Sequence, residues 1–240
     1  MKAGDYRRLL LLPGPMVRVA CDVVQRTSPP MTAFATAAPP LDGRSARALR
    51  TREAIVDACI GLVEEGELRP TAPRVAERAG VSVRSVFQHF DDLPSLHIAV
   101  TERIVARLAV LLHPIDPSMP FDARVVAFIR HRGALLEAVT PFRRAANVHG
   151  PFAPEISHVL RAGNDYLREE VARAFRPELD QAPALDRREV LEGLATTLSW
   201  AAWDVLRADG GCTVAQASAV TQRMVRALIA DAVGTNGRSE

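Results

Sequence analysis

The chain has 240 residues, 48% of them hydrophobic and 24% charged, enough to bury a substantial core without disulfides or structural metal. No run approaches the roughly 18 consecutive apolar residues of a membrane span. The three cysteines, Cys21, Cys59 and Cys212, fit neither a disulfide framework nor a zinc spacing, so a protein of a reducing cytoplasm is expected. Thirty Lys+Arg against 28 Asp+Glu leave a net charge of +2, so any basic surface has to be local.

Residues 1–43 carry Pro13, Pro15, Pro29, Pro30, Pro39 and Pro40 and show no sustained helical or strand period, so a disordered segment is expected. Arg7-Arg8 followed by Leu9–Leu12 resembles the opening of a signal peptide, but Pro13, Gly14, Pro15 and Arg18 interrupt it. Met31 reads as an alternative start. From about Ser45 the pattern turns helical. Ile55, Ala58, Cys59, Leu62 and Val63 form one apolar stripe of a first helix that stops near Gly66. Thr71 can cap a short helix through Ala79, and Ser82 one to about His89. Asp92 is placed to cap a long helix from Leu93 to Leu112, ended by His113-Pro114.

Further helices are expected at Phe121–Val139, ended by Thr140-Pro141, at Phe142–Val148, and at Glu155–Phe175. Asp186-Arg187-Arg188-Glu189 reads as a capping box opening a helix that runs to Gly210-Gly211. Thr213 and Gln216 do the same for a last helix to about Val233. No segment alternates like a strand, so the fold class is all-α.

Arg74–Ala79 and Val83–His89, joined by the glycine-containing turn Gly80-Val81-Ser82, read as a helix-turn-helix unit. Its second helix has the dimensions of the DNA major groove. Val75, Ala76, Ala79, Val81 and Val86 can pack the pair together, which leaves Arg84 and Gln88 outward, four residues apart on one face. Arg84 can pair with guanine, Gln88 with adenine, and Val83 can touch a thymine methyl.

The run from Thr71 to Phe90, followed by Leu96, resembles the DNA-binding domain of TetR-type (tetracycline-repressor-like) transcription regulators, and the flanking helices match as well. The resemblance covers about residues 45–112 motif by motif. Beyond them it rests on helix number and order, with Ser199–Asp204 similar to the penultimate helix of some members. It implies that Thr71 and Ser82 offer contacts to phosphate, that Arg84, Ser85 and Gln88 face bases or nearby phosphates, and that His89 approaches the backbone. Two positions depart from the pattern. Phe87 stands where many members carry a tyrosine, and Leu93 where many carry a lysine, beside Asp91 and Asp92. Arg44, Arg47, Arg50 and Arg52 give +4 over residues 44–52 without an acid, whereas residues 53–92 sum to −4. The arginine cluster is expected to compensate through backbone or minor-groove contact.

The implied organisation is a disordered segment at 1–43, a helix-turn-helix domain with connecting helix at 44–112, an effector-binding and dimerisation domain at 113–233, and a disordered tail at 234–240. Leu191, Leu194, Leu198, Ala201 and Val205 form a seam with steps of three and four, and Ala217, Val220, Met224 and Leu228 a second stripe. Paired with a second copy they would make a four-helix bundle. In such regulators the helices from Phe121 to Phe175 enclose the effector. Phe128, His131, Phe142, Asn147, Tyr166, Trp200 and Trp203, with His149, Phe152 and His158, are the candidate lining. They suit a moderately apolar small molecule.

No His-Glu-x-x-His, phosphate-cradling glycine loop, Gly-x-Ser-x-Gly or Cys/His cluster is present, so no catalytic residue, metal or cofactor is expected. The expectation is a homodimeric, cytoplasmic regulator, a repressor on a palindromic operator of double-stranded DNA, released by an effector. The alternatives are a constitutive DNA-binding dimer and an all-α enzyme or interaction protein that has lost DNA binding.

Overall fold

The computed structural model describes residues 43–149, 154–184 and 186–234. The expectations for residues 1–42, for Phe152 and for the tail from residue 235 lie outside these. Among the described residues the secondary structure is entirely helical, as expected. The helices are α1 (Gly43–Glu64), α2 (Ala72–Ala79), α3 (Val83–His89), α4 (Leu93–Leu108), α5 (Phe121–His149), α6 (Pro154–Ala174), α7 (Arg176–Leu179), α8 (Arg187–Thr197), α9 (Trp200–Asp204) and α10 (Val214–Gly234). A 3-10 turn at Ala109–Leu111 follows α4, and a π turn at Val205–Asp209 follows α9. None of these helices is long and apolar enough to cross a membrane.

The chain divides into two compact units, one holding the residues up to Ala109 with Pro141–Leu160, the other Val110–Thr140 with the residues from Arg161 onward. In the first, the expected stripe of α1 is buried together with Ile60, and Val75, Val86 and Leu96 close the core from α2, α3 and α4. Burial pushes the Cys59 thiol up to about 12, so this cysteine serves as core packing. Asp92 and Ser95 form a reciprocal capping box at the start of α4, the serine N–H donating to the Asp92 carboxylate at 2.8 Å.

In the second unit Val125, Phe128 and Ile129 of α5 pack with Val171 and Ala174 of α6, Leu194 of α8, and Val225 and Ile229 of α10. Trp203 packs with Leu136 and Ala217 in a smaller cluster. The last capping box forms as its spacing predicts: Thr213 N–H donates to Gln216 Oε1 at 2.8 Å, and Gln216 N–H to Thr213 Oγ1 at 3.2 Å.

Three boundaries differ from the sequence reading. Pro141 does not divide two helices; it lies inside α5. A proline costs the helix the bond to the carbonyl four residues back and normally kinks it. Here the turn before it is held from outside. Trp200 Nε1–H donates to Thr140 Oγ1 at 3.1 Å, and Trp203 Nε1–H and Arg207 Nε–H both donate to the Glu137 carboxylate. The helix expected from Asp186 to Gly210 is interrupted at Leu198-Ser199. Ser199 is extended, and its side chain accepts from Ala202 N–H to cap α9. Asp186 caps nothing with its side chain: it sits in a turn in which Arg187 N–H donates to the Pro183 carbonyl.

Candidate nucleic-acid interface and ligand pocket

The geometry of α2 and α3 follows from the three residues between them. Gly80 adopts φ 66°, ψ 34°, a left-handed conformation that glycine enters without a Cβ penalty. Its N–H donates to the Glu77 carbonyl at 3.2 Å, and the Val81 N–H to Ala76 at 3.0 Å, the paired bonds of a Schellman stop. Ser82 then restarts the helix, its hydroxyl oxygen accepting from Ser85 N–H at 3.1 Å. Thr71 stands at the N-cap of α2 and makes no side-chain cap bond, so its hydroxyl stays uncommitted.

Helix α3 buries Val86, and Phe90 just beyond it, in the first core. Val83 is 39% and Phe87 48% exposed, and Arg84 and Gln88 are exposed beside them. Ser85 and His89 are half-buried at its flanks. Neither Arg84 nor Gln88 has a hydrogen-bond or ion-pair partner among the described residues. A seven-residue helix therefore presents two apolar and two long polar side chains outward. Leu93 packs against the core, so the rim gains no cation there.

The charge of this unit separates by pairing. Arg78 grips the Glu65 carboxylate with both guanidinium nitrogens, at 2.6 and 2.7 Å, and holds it below the usual carboxylate range. Arg74 bonds Glu77 and Glu67, while Arg103 and Arg107 share Asp57, and Arg107 also reaches Glu64. Five acids are thereby paired with four arginines. Arg44, Arg47 and Arg50 lie exposed on the first turns of α1 without an acid partner among the described residues. Arg52 lies over the ring of Phe90, 4.7 Å from its centroid.

The second unit holds a pocket of about 250 Å³ including its mouth. Leu111, Leu112, His113 and Ile115, from the chain that follows α4, form one side, and α5 supplies another with Phe128, His131, Arg132 and Leu135. Arg132 is deeply buried. It donates to the Leu198 carbonyl at 3.2 Å, to Leu167 at 3.1 Å and to Glu170 Oε2 at 3.1 Å, and its plane lies 4.9 Å from the Phe128 ring centroid. The interruption after α8 thus exposes a carbonyl that this guanidinium satisfies. His131 packs its ring 5.0 Å from that of His113, and its buried Nε2 has no hydrogen-bond partner. Burial and the neighbouring His113 pull His131 below the usual histidine value.

Of the candidate lining residues, Phe128 and His131 reach this pocket. Phe142 packs on the first core, Asn147 is exposed, and His158 is half-buried. The His149 side chain lies outside the described residues. Tyr166 is buried, its hydroxyl pushed up to about 12 by burial and by Glu170. Trp200 and Trp203 bind Thr140 and Glu137. Sequence reasoning missed Arg132, Leu135 and Glu170, and also the four lining residues from the chain that follows α4. The spacing 128, 131, 132, 135 is one helical face, and extending it from Phe128 would have found the first two. Nothing in sequence marks a buried ion pair.

The residues of the two proposed dimer stripes separate as well. Leu194, Leu198 and Ala217 are buried within their own unit, and Leu191 and Leu228 lean on its core. Ala201, Val205, Val220 and Met224 are exposed, Val205 at 56% and Met224 at 43%. No group of three or more His, Cys, Asp or Glu among the described residues is placed to hold a metal ion.

No family model matches the chain, and no curated protein matches it. Its fold is similar to the crystal structure of a transcriptional regulator from Rhodococcus sp. Rha1, with a TM-score of 0.54 at 16% identity, covering 78% of this chain and 97% of that one.

Proposed function

We propose that the protein is a sequence-specific DNA-binding transcription regulator, a homodimer that acts as a repressor in the cytoplasm and is released by a small molecule. The observation that carries this reading is the outward face of α3: Val83, Arg84, Phe87 and Gln88 are exposed on the second helix of a Schellman-turned pair. These are residue types that read base edges and thymine methyls. Thr71 and the Ser82 O–H would reach phosphate, and Arg44, Arg47, Arg50 and Arg52 would add backbone charge. The similarity in fold to a transcriptional regulator supports the same reading.

One such unit covers too little DNA for selective binding, so two copies are needed. Ala201, Val205, Val220 and Met224, the part of the two stripes that remains exposed, form the pairing face in this reading. An effector in the second unit's pocket would press on Leu111, Leu112 and Ile115, which continue directly from α4. It releases the operator only to the extent that it binds the DNA-incompetent state more tightly.

The test is the salt dependence of binding to duplex DNA. Affinity should fall steeply as salt rises. Replacing Arg44, Arg47 and Arg50 together by alanine should flatten that slope. No measurable duplex binding at low salt would overturn the reading.

A further inference from the structure

The outward face of α3 divides into two stripes. At about 3.6 residues per turn, Val83 and Phe87 lie on one line along the helix, and Arg84 and Gln88 on a second, about 100° round it. Val86 is buried in the first core, yet Val83 and Phe87 stay 39% and 48% exposed. Among the described residues these two are the exposed large hydrophobics of the first unit; the others all belong to the second.

The same end of the helix is poor in groups that grip phosphate. Phe87 carries no hydroxyl, Leu93 packs into the core, and Asp91 and Asp92 are exposed just beyond the helix. Between residues 83 and 95 the one arginine, Arg84, is outnumbered by these two acids. A helix end that gains nothing from the DNA backbone has to draw its affinity from the bases.

From these two observations we infer that Phe87, with Val83 one turn before it, reads the C5-methyl groups of thymines at two neighbouring base pairs of the half-site. The assignment rests on the reading of α3 as the DNA-contacting helix. The thymine methyl is the apolar group that a base pair presents in the major groove. Side chains four residues apart on a helix stand about 5–6 Å from each other, between one and two rises of about 3.4 Å per base, so the stripe spans adjacent pairs. Set against a G·C pair, whose edge offers donors and acceptors and no methyl, the same stripe would strip those groups of water and give them no partner. The second stripe, Arg84 and Gln88, is left to meet the polar edges of flanking bases.

The experiment removes the methyl and nothing else. In the duplex that this protein enriches from a random pool, each thymine of one half-site is replaced in turn by deoxyuridine, which keeps the base pair and the O4 acceptor. Fluorescence anisotropy with the full chain should show a loss of about fourfold at each of two neighbouring positions and little at the others. With Phe87→Ser the loss at one of the two should vanish, and with Val83→Ser the loss at the other. Both side chains are exposed, so both variants should fold, which urea unfolding checks. The slope of affinity against salt should be the same in Phe87→Ser as in the wild type, because no phosphate contact is removed.

An enriched half-site without thymine, deoxyuridine tolerated at every position, or methyl losses that persist in both variants would overturn the inference and leave α3 as a DNA-reading helix. A loss in Phe87→Ser that is equal for thymine and deoxyuridine duplexes would assign the ring to the sugar wall of the groove and overturn it as well. Failure to enrich any sequence would instead overturn the DNA reading itself, and the methyl contact with it. The wild-type scan needs no variant to fold.

Discussion

The guanidinium of Arg52 lies over the ring of Phe90, 4.7 Å from its centroid. Phe90 follows the last residue of α3, so this pair holds the arginine-rich start of α1 beside the end of the proposed reading helix. It joins residues 38 apart in sequence.

This pairing separates the arginines by expected effect. Arg84→Ala should weaken binding to a selected DNA site by about 1–3 kcal/mol and relax selectivity at one position, with unfolding unchanged. Arg52→Ala should weaken binding and also lower stability by about 0.5–1 kcal/mol, the worth of an exposed cation–π contact. Arg74→Ala should leave affinity nearly unchanged, because its charge is already shared between Glu67 and Glu77. Fluorescence anisotropy on duplexes with single base changes, paired with urea titrations, measures all three.

The local signals were legible in sequence because they need only near neighbours. Ser82, Asp92 and the Thr213–Gln216 box cap where their spacing says. Gly80 turns the pair as the Ala-Gly-Val-Ser run predicts. The continuity of α5 through Pro141 was not legible, and the side chains that bond the turn before it, Trp200, Trp203 and Arg207, lie some 60 to 70 residues away. The seam residues show a different limit. A three-four repeat marks an apolar face, but it does not say whether that face is covered by the same chain or another. Leu194 and Leu198 proved to be covered by their own unit. The outward face of α3 was readable from its apolar partners; the pocket's charge balance was not, since arginine is normally an exposed residue.

The pairing face gives a second prediction. Val205→Glu combined with Met224→Glu should convert a dimer into a folded monomer, because both side chains are exposed in the single chain. Leu194→Glu should instead unfold the second unit, since it buries a charge in the core. Sedimentation equilibrium and circular dichroism distinguish the two results. A dimer that survives the double substitution would place the interface elsewhere.

Arg132 and Glu170 give a third. Arg132→Leu alone should cost about 3–5 kcal/mol, because it leaves the Glu170 carboxylate buried without its cation. Adding Glu170→Leu should recover part of that loss, with a remainder from the Leu198 and Leu167 carbonyls that Arg132 had satisfied. Urea unfolding of the two single variants and the double one measures the coupling.

His131 gives a pH dependence. Its folded value is pulled below the usual 6.5, so between the two values the unfolded chain binds the extra proton. Its contribution to stability is therefore fully present above about 6.5 and is lost as pH falls through the depressed folded value. Melting temperature should fall over that window, and His131→Leu should remove its share of the fall. A slope unchanged by the substitution would assign it to other groups.

The central claim, that α3 reads DNA sequence for a two-fold dimer, is tested most directly by sequencing the duplexes this protein enriches from a random pool. The account predicts a palindrome whose half-sites lie one helical turn or a multiple of it apart, about 10 base pairs each. It predicts that the same selection with Arg84→Ala and Gln88→Ala together loses the half-site sequence. No enriched sequence, or the same sequence enriched without those two side chains, would contradict it.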